Sequence, residues 1–187
     1  MLKKGMSISD IENELDGKGD FVQIDSMTRF LKEDLLFDTK KYVSIRLADI
    51  YEKRAMFAEA AKIYELIGEF SKNYSEQMKY YLRATEIFIK AGDIEKADEC
   101  LRKAIKETTG RQKADILSSM KNLYMHQAEK YEEDKRRSHA VKLYEKLLVM
   151  DLSEEEREKI KKKLLELYET LGKVREYYML KGGHEKV

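Results

Sequence analysis

The sequence predicts an all-α fold of antiparallel helical hairpins. Three observations carry this. Apolar residues recur at helical spacing along most of the chain. Proline is absent, so nothing in the composition forces a break in a helix. A short unit also recurs: an aromatic, a small residue nine positions later, and an aromatic or Leu four beyond that. "LADIYEKRAMFAEAAKIYELI" supplies Tyr51, Ala60, Tyr64 and Ile67. "IFIKAGDIEKADECLRKAI" supplies Phe88, Ala97, Leu101 and Ala104, and "QAEKYEEDKRRSHAVKLYEKL" supplies Tyr131, Ala140, Tyr144 and Leu147. "LLELYETLGKVREYYML" begins a fourth copy with Tyr168 and Gly172, then places Tyr177 where the small residue belongs.

Each element follows from local chemistry. Ser7, three before Asp10, opens the first helix over 7–16 with a capping box. "GKGD" at 17–20 is a turn, and Phe21, Ile24, Met27, Leu31 and Leu35 give the next helix an apolar stripe over 20–36. Hairpin helices are expected over 39–54 and 57–72, 75–91 and 94–108, 112–134 and 138–150, and 154–171 and 174–181. Gly92 ends one helix and Asp93 caps the next, whereas the third copy carries "EDKRRS" in place of a glycine turn. Ser153 caps "SEEEREKI", with its acidic first turn. Within a hairpin, a small residue lets two axes approach and an aromatic fills the space beside it. One hairpin cannot bury its own apolar face, so neighbours must stack.

This pattern resembles the tetratricopeptide repeat over about 41–181, roughly three quarters of the chain. The resemblance implies a right-handed solenoid. The aligned aromatics at 51, 88, 131 and 168 lie 37, 43 and 37 residues apart, against about 34 in the family, which implies longer helices. "AAKIYELIGEF" and "KYYLRATEIF", within 60–88, are most similar to the soluble NSF attachment protein branch. Residues 1–40 form an N-terminal helical extension or degenerate repeat. The repeats occupy about 41–74, 78–110, 113–152 and 154–181, and residues 182–187 are read as a flexible tail.

Two columns of charge accompany the repeats. Two residues before each aromatic stand Asp49, Glu86, Glu129 and Glu166; five before stand Arg46, Arg83, His126 and Lys163. Two after it the residue varies: Lys53, Lys90, Glu133 and Thr170. The resemblance places these columns on first helices that line a concave groove. Such a groove is more basic near its N-terminal end and acidic around the third repeat. Equally, each pair is an i,i+3 contact worth about 0.2–0.5 kcal/mol to its own helix. Relatives that clamp a C-terminal carboxylate place asparagine in this groove. Asp49 and Glu86 would repel that ligand, so a helix or peptide of mixed or basic charge is expected instead.

Composition excludes other classes. Lys and Arg number 37 against 36 Asp and Glu, so the basic excess of a nucleic-acid binder is missing. The apolar runs are too short to span a bilayer and "MLKKGMSISDIENELDG" lacks a signal-peptide core, so a cytoplasmic protein without membrane insertion is expected. Three Asn and four Gln beside so many Lys and Glu is a composition favoured at high temperature. No phosphate loop is present, His126, His139 and His184 lack metal-ligand spacing, and Cys100 reads as a small core residue. No catalytic residue, metal or cofactor is expected. The sequence therefore reads as a noncatalytic adaptor or scaffold. One alternative is self-association as a homodimer through Tyr177, Tyr178 and Leu180. Another is a regulatory subunit of an enzyme or ATPase complex, for which clustered His126, Glu129 and Glu133 around an ion would argue.

Overall fold

The computed structural model describes residues 1–182; five of the six residues of the expected tail, and His184 with them, lie outside. Among the described residues there are ten α-helices and no strand. No described helix is long and apolar enough to cross a membrane. The helices are α1 (Ile8–Leu15), α2 (Asp20–Phe30), α3 (Phe37–Lys53), α4 (Phe57–Phe70) and α5 (Tyr74–Ala91). They continue with α6 (Ile94–Ile105), α7 (Gly110–Glu133), α8 (Arg137–Leu148), α9 (Glu154–Thr170) and α10 (Val174–Lys181).

The expected boundaries hold to within two residues except at α6, which ends at Ile105 and not at 108, and at α2, which stops at Phe30 and not at 36. The chain there turns through bonds from Lys32 N–H to the Arg29 carbonyl and from Glu33 N–H to the Phe30 carbonyl. Leu31 and Leu35 still pack inward without a helix to carry them. Burial of these side chains, and not helical periodicity, is what their spacing records.

The chain forms two compact units, Met1–Thr108 and the residues from Thr109 onward. In the first unit α2 packs on α3, α3 on α4, α4 on α5 and α5 on α6. Ile11, Leu15, Met27 and Phe30 of α1 and α2 bury the outer face of α3 at Val43, Leu47 and Ile50. In the second unit α7 packs on α8, α8 on α9 and α9 on α10. The small residues at the aligned position, Ala60, Ala97 and Ala140, are fully buried. Phe88, Tyr131 and Tyr144 are buried with them, and removing a side chain of this size from water contributes about 2–3 kcal/mol.

Four hairpins turn in the same way. The residue four after each aromatic has positive φ: Ala55 at 55°, Gly92 at 83°, Lys135 at 57° and Gly172 at 67°. The next N–H reaches back to the aromatic's carbonyl, from Met56 to Tyr51, Asp93 to Phe88, Arg136 to Tyr131 and Lys173 to Tyr168, at 2.7–3.0 Å. A second bond runs from the positive-φ residue to the carbonyl just after the aromatic, as from Ala55 to Glu52 and from Lys135 to Glu132, both at 2.9 Å. This double bond is the Schellman ending, which satisfies carbonyls that a helix end leaves open. The third copy thus makes the turn without glycine, with Lys135 in the left-handed region.

The two units also repeat each other at an offset of 80 residues, as from Tyr51 to Tyr131 and from Tyr64 to Tyr144. Lys41 and Lys121, Glu52 and Glu132, Glu76 and Glu156, and Gly92 and Gly172 are further identities in that register. The contacts repeat as well. Lys41 of α3 pairs with Glu76 of α5, and Lys121 of α7 pairs with Glu156 of α9. Asn73 caps α5 and Ser153 caps α9. The first unit's α3–α6 and the second unit's α7–α10 thus share these residues and contacts in one register.

Candidate functional site

The residues expected to line a groove lie on α3 and α5 in the first unit and on α7 and α9 in the second. Arg46, Asp49 and Lys53 of α3 are exposed, as are His126 and Glu133 of α7 and Glu166 of α9. Arg83, Glu86 and Lys90 of α5, Glu129 of α7 and Lys163 of α9 are half-buried. Among the described residues the intrahelical basic–acidic pair forms once, between Arg83 Nη1 and Glu86 Oε2 at 2.9 Å. Elsewhere the charges reach other helices. Lys53 lies 3.7 Å from Asp20 of α2, which also pairs with Arg54 at 3.3 Å. Glu129 pairs with Lys159 at 3.8 Å, and Lys163 pairs with Glu132 at 2.6 Å. Four helix-stabilising i,i+3 pairs are thus not what the two columns form.

What organises them is a glutamate the columns omit. In the first unit Tyr64 of α4 donates its hydroxyl proton to Glu52 Oε1 at 2.9 Å, with Asp49 Oδ1 at 3.2 Å. Arg83 Nη2 donates to both oxygens of the same Glu52, at 2.9 and 2.8 Å, and its guanidinium lies 5.7 Å from the centre of the Tyr64 ring. In the second unit Tyr144 of α8 donates to Glu132, Lys163 of α9 pairs with it, and the ammonium lies 5.4 Å from the Tyr144 ring centre. One carboxylate therefore joins the two helices of a hairpin to the first helix of the next, twice.

The electrostatics agree with a structural tie. Burial, then the Glu52 carboxylate, holds the Tyr64 phenol well above its ordinary range; Tyr144 is raised by burial and Glu132 in the same way. Both phenols stay protonated and donate. Burial works against the Arg83 charge, but the bond to Glu86 and the charge of Glu52 outweigh it and raise the guanidinium. Glu52 escapes the charge columns because its contact spans 31 residues to Arg83, and Tyr64 stands in the recurring unit as a packing position only. The identity of Glu52 with Glu132 and of Tyr64 with Tyr144 across 80 residues is the signal that marks them.

At the other end, α10 has no fully buried residue. Tyr178 is 65% exposed, Tyr177 and Leu180 are half-buried, and the two tyrosine rings meet edge to face at 5.5 Å. Cys100 is fully buried, and burial, then the nearby Glu65 carboxylate, pushes its thiol up to about 12. That thiol is packed as a small apolar group. Among the described residues no three His, Cys, Asp or Glu side chains are set to share a metal ion. Comparison with family models, with curated proteins and with solved structures finds no match in any of the three.

Proposed function

We propose that this chain is a noncatalytic protein-interaction module of tetratricopeptide-like architecture, acting in the cytoplasm as an adaptor or scaffold. In each unit the first helices, α3 and α5 in one and α7 and α9 in the other, present a partner helix or peptide with a surface of mixed charge. The supporting observation is the repeated glutamate tie. Glu52 and Glu132 hold successive first helices side by side, while Arg46, His126, Glu133 and Glu166 beside them stay exposed. A scaffold that fixes its own helices with partly buried charge and leaves exposed charge on one helix set is suited to recognition through electrostatic complementarity.

The test is affinity capture from source cells with the native chain and with Arg46→Glu, Glu133→Lys and Glu166→Lys combined. Circular dichroism first establishes equal helicity. The reading requires that captured partners are lost with the variant; retention of every partner overturns it. A second reading, self-association through α10, draws on the exposure of Val174, Tyr178 and Met179. Native mass distinguishes the two, because Tyr178→Lys returns a dimer to a monomer only under the second.

A further inference from the structure

Among the differences between the two four-helix units, one accompanies a cleft. In the first unit Gly68 near the end of α4 receives the ring of Tyr81 from α5. A Cβ on Gly68 would stand 2.9 Å from that ring. Lys103 of α6 covers the ring at 5.6 Å, and Cys100 of α6 and Thr85 of α5 are fully buried beneath. At the offset of 80, Gly68 becomes Leu148, Tyr81 becomes Lys161, Thr85 becomes Leu165 and Cys100 becomes Leu180. There the second unit has a cleft of about 560 Å³ between the end of α8, α9 and α10. Leu148, Leu165, Met179 and Leu180 supply its apolar floor. Arg157, Lys161, Lys162 and Lys181 supply its rim. Among the described residues the one acid on the lining, Glu158, is paired with Lys161 at 2.6 Å, and Arg157 also donates to the Leu148 carbonyl at 3.1 Å. Lys162 and Lys181 are exposed.

We propose that this cleft is a binding site for a peptide segment of a partner protein, one that carries an aromatic side chain flanked by acidic residues. Two features select that occupant. The residues at the positions of Gly68, Tyr81, Thr85 and Cys100 line the cleft with leucine side chains and with Lys161 in place of the ring, so an aromatic side chain from outside supplies the ring that Tyr81 supplies in the first unit. Among the described residues the rim holds four cations against one paired acid, so the flanks are carboxylates and their attraction weakens with salt. The site uses none of the first-helix residues assigned above, so its success or failure is read separately from that proposal.

The experiment is fluorescence polarisation on the full chain, with a labelled synthetic peptide in which glutamates flank one phenylalanine. Saturable binding is expected, lost when the phenylalanine is replaced by alanine and when lysines replace the glutamates. Lys162→Glu with Lys181→Glu, both exposed, weakens binding by about tenfold or more. Leu148→Gly with Lys161→Tyr transplants the closed arrangement of the first unit and abolishes binding. If that pair lowers helicity, the charge-reversal pair still decides. Absence of binding, equal binding of the lysine-flanked peptide, or indifference to the charge reversal overturns the proposal. So does recruitment to phosphatidylserine vesicles in place of the peptide, which would make the cleft a lipid site.

Discussion

Ala55 and Lys135 stand in the left-handed region, where a Cβ meets the following carbonyl at a cost of about 1–2 kcal/mol per residue. Gly92 and Gly172 occupy the equivalent positions without that cost. Ala55→Gly and Lys135→Gly should therefore each stabilise the fold by about 1 kcal/mol, while Gly92→Ala and Gly172→Ala destabilise it by a similar amount. Thermal or urea unfolding checks all four. The glutamate ties give a second residue-scale test. Tyr144→Phe removes one hydrogen bond and leaves Glu132 its cation, a cost of about 1 kcal/mol. Glu132→Ala leaves both a half-buried Lys163 and a buried hydroxyl without their acceptor, and should cost about 2–3 kcal/mol. A double-mutant cycle that finds the two effects additive would show that no shared tie exists.

At the scale of elements, α4 and α5 approach closely because Gly68 has no side chain. Gly68→Ala places a methyl 2.9 Å from the Tyr81 ring and should destabilise the first unit by about 1–3 kcal/mol. Tyr81→Leu, which removes the obstructing ring, should reduce the further cost of Gly68→Ala. In the second unit α9 depends on its cap: Ser153 accepts from Glu156 N–H at 3.2 Å, and Glu156 accepts from Ser153 N–H at 2.8 Å. The Glu156 carboxyl is held below its ordinary value of 4.5 by Lys121, then by the Ser153 backbone. A carboxyl lowered by folding stabilises fully above its unfolded value and loses that contribution as pH falls through the folded one. The difference in midpoint between the native chain and Glu156→Gln should be largest near neutral pH and close on acidification below about pH 4. The capping box at Ser7 and the N-cap at Ser153 were legible in the sequence because a cap is written within four residues, and the structure completes the second into a capping box with Glu156. The turn at Lys135 was less so: its spacing was visible but its glycine was missing. The tie at Glu52 was not, because its partners Tyr64 and Arg83 reach it only after three helices have packed. The columns at Arg46 and Asp49 showed where charge recurs, but not which helix each charge would reach.

For the whole molecule, the offset of 80 residues implies that each unit holds a complete set of its own ties. The first unit is joined by Lys41–Glu76, Glu52–Arg83 and Glu65–Lys103. The second is joined by Lys121–Glu156, Glu132–Lys163 and a bond from the Tyr168 hydroxyl to Glu145. Expressed separately, residues 1–108 and 109–187 should each give a helical circular-dichroism spectrum and a cooperative melt. The two should differ in stability. The first unit adds the cluster in which α1 and α2 bury the face of α3, and it seats Tyr81 against Gly68, whereas the second unit has a cleft lined by the residues at the offset of 80. A fragment of about 80 residues also buries a smaller share of its unfolded surface than one of about 110. Residues 109–187 should therefore melt at the lower temperature, and Leu148→Gly with Lys161→Tyr, by closing the cleft, should narrow the gap. A 109–187 fragment more stable than 1–108 would mean that the cleft carries no cost to the fold.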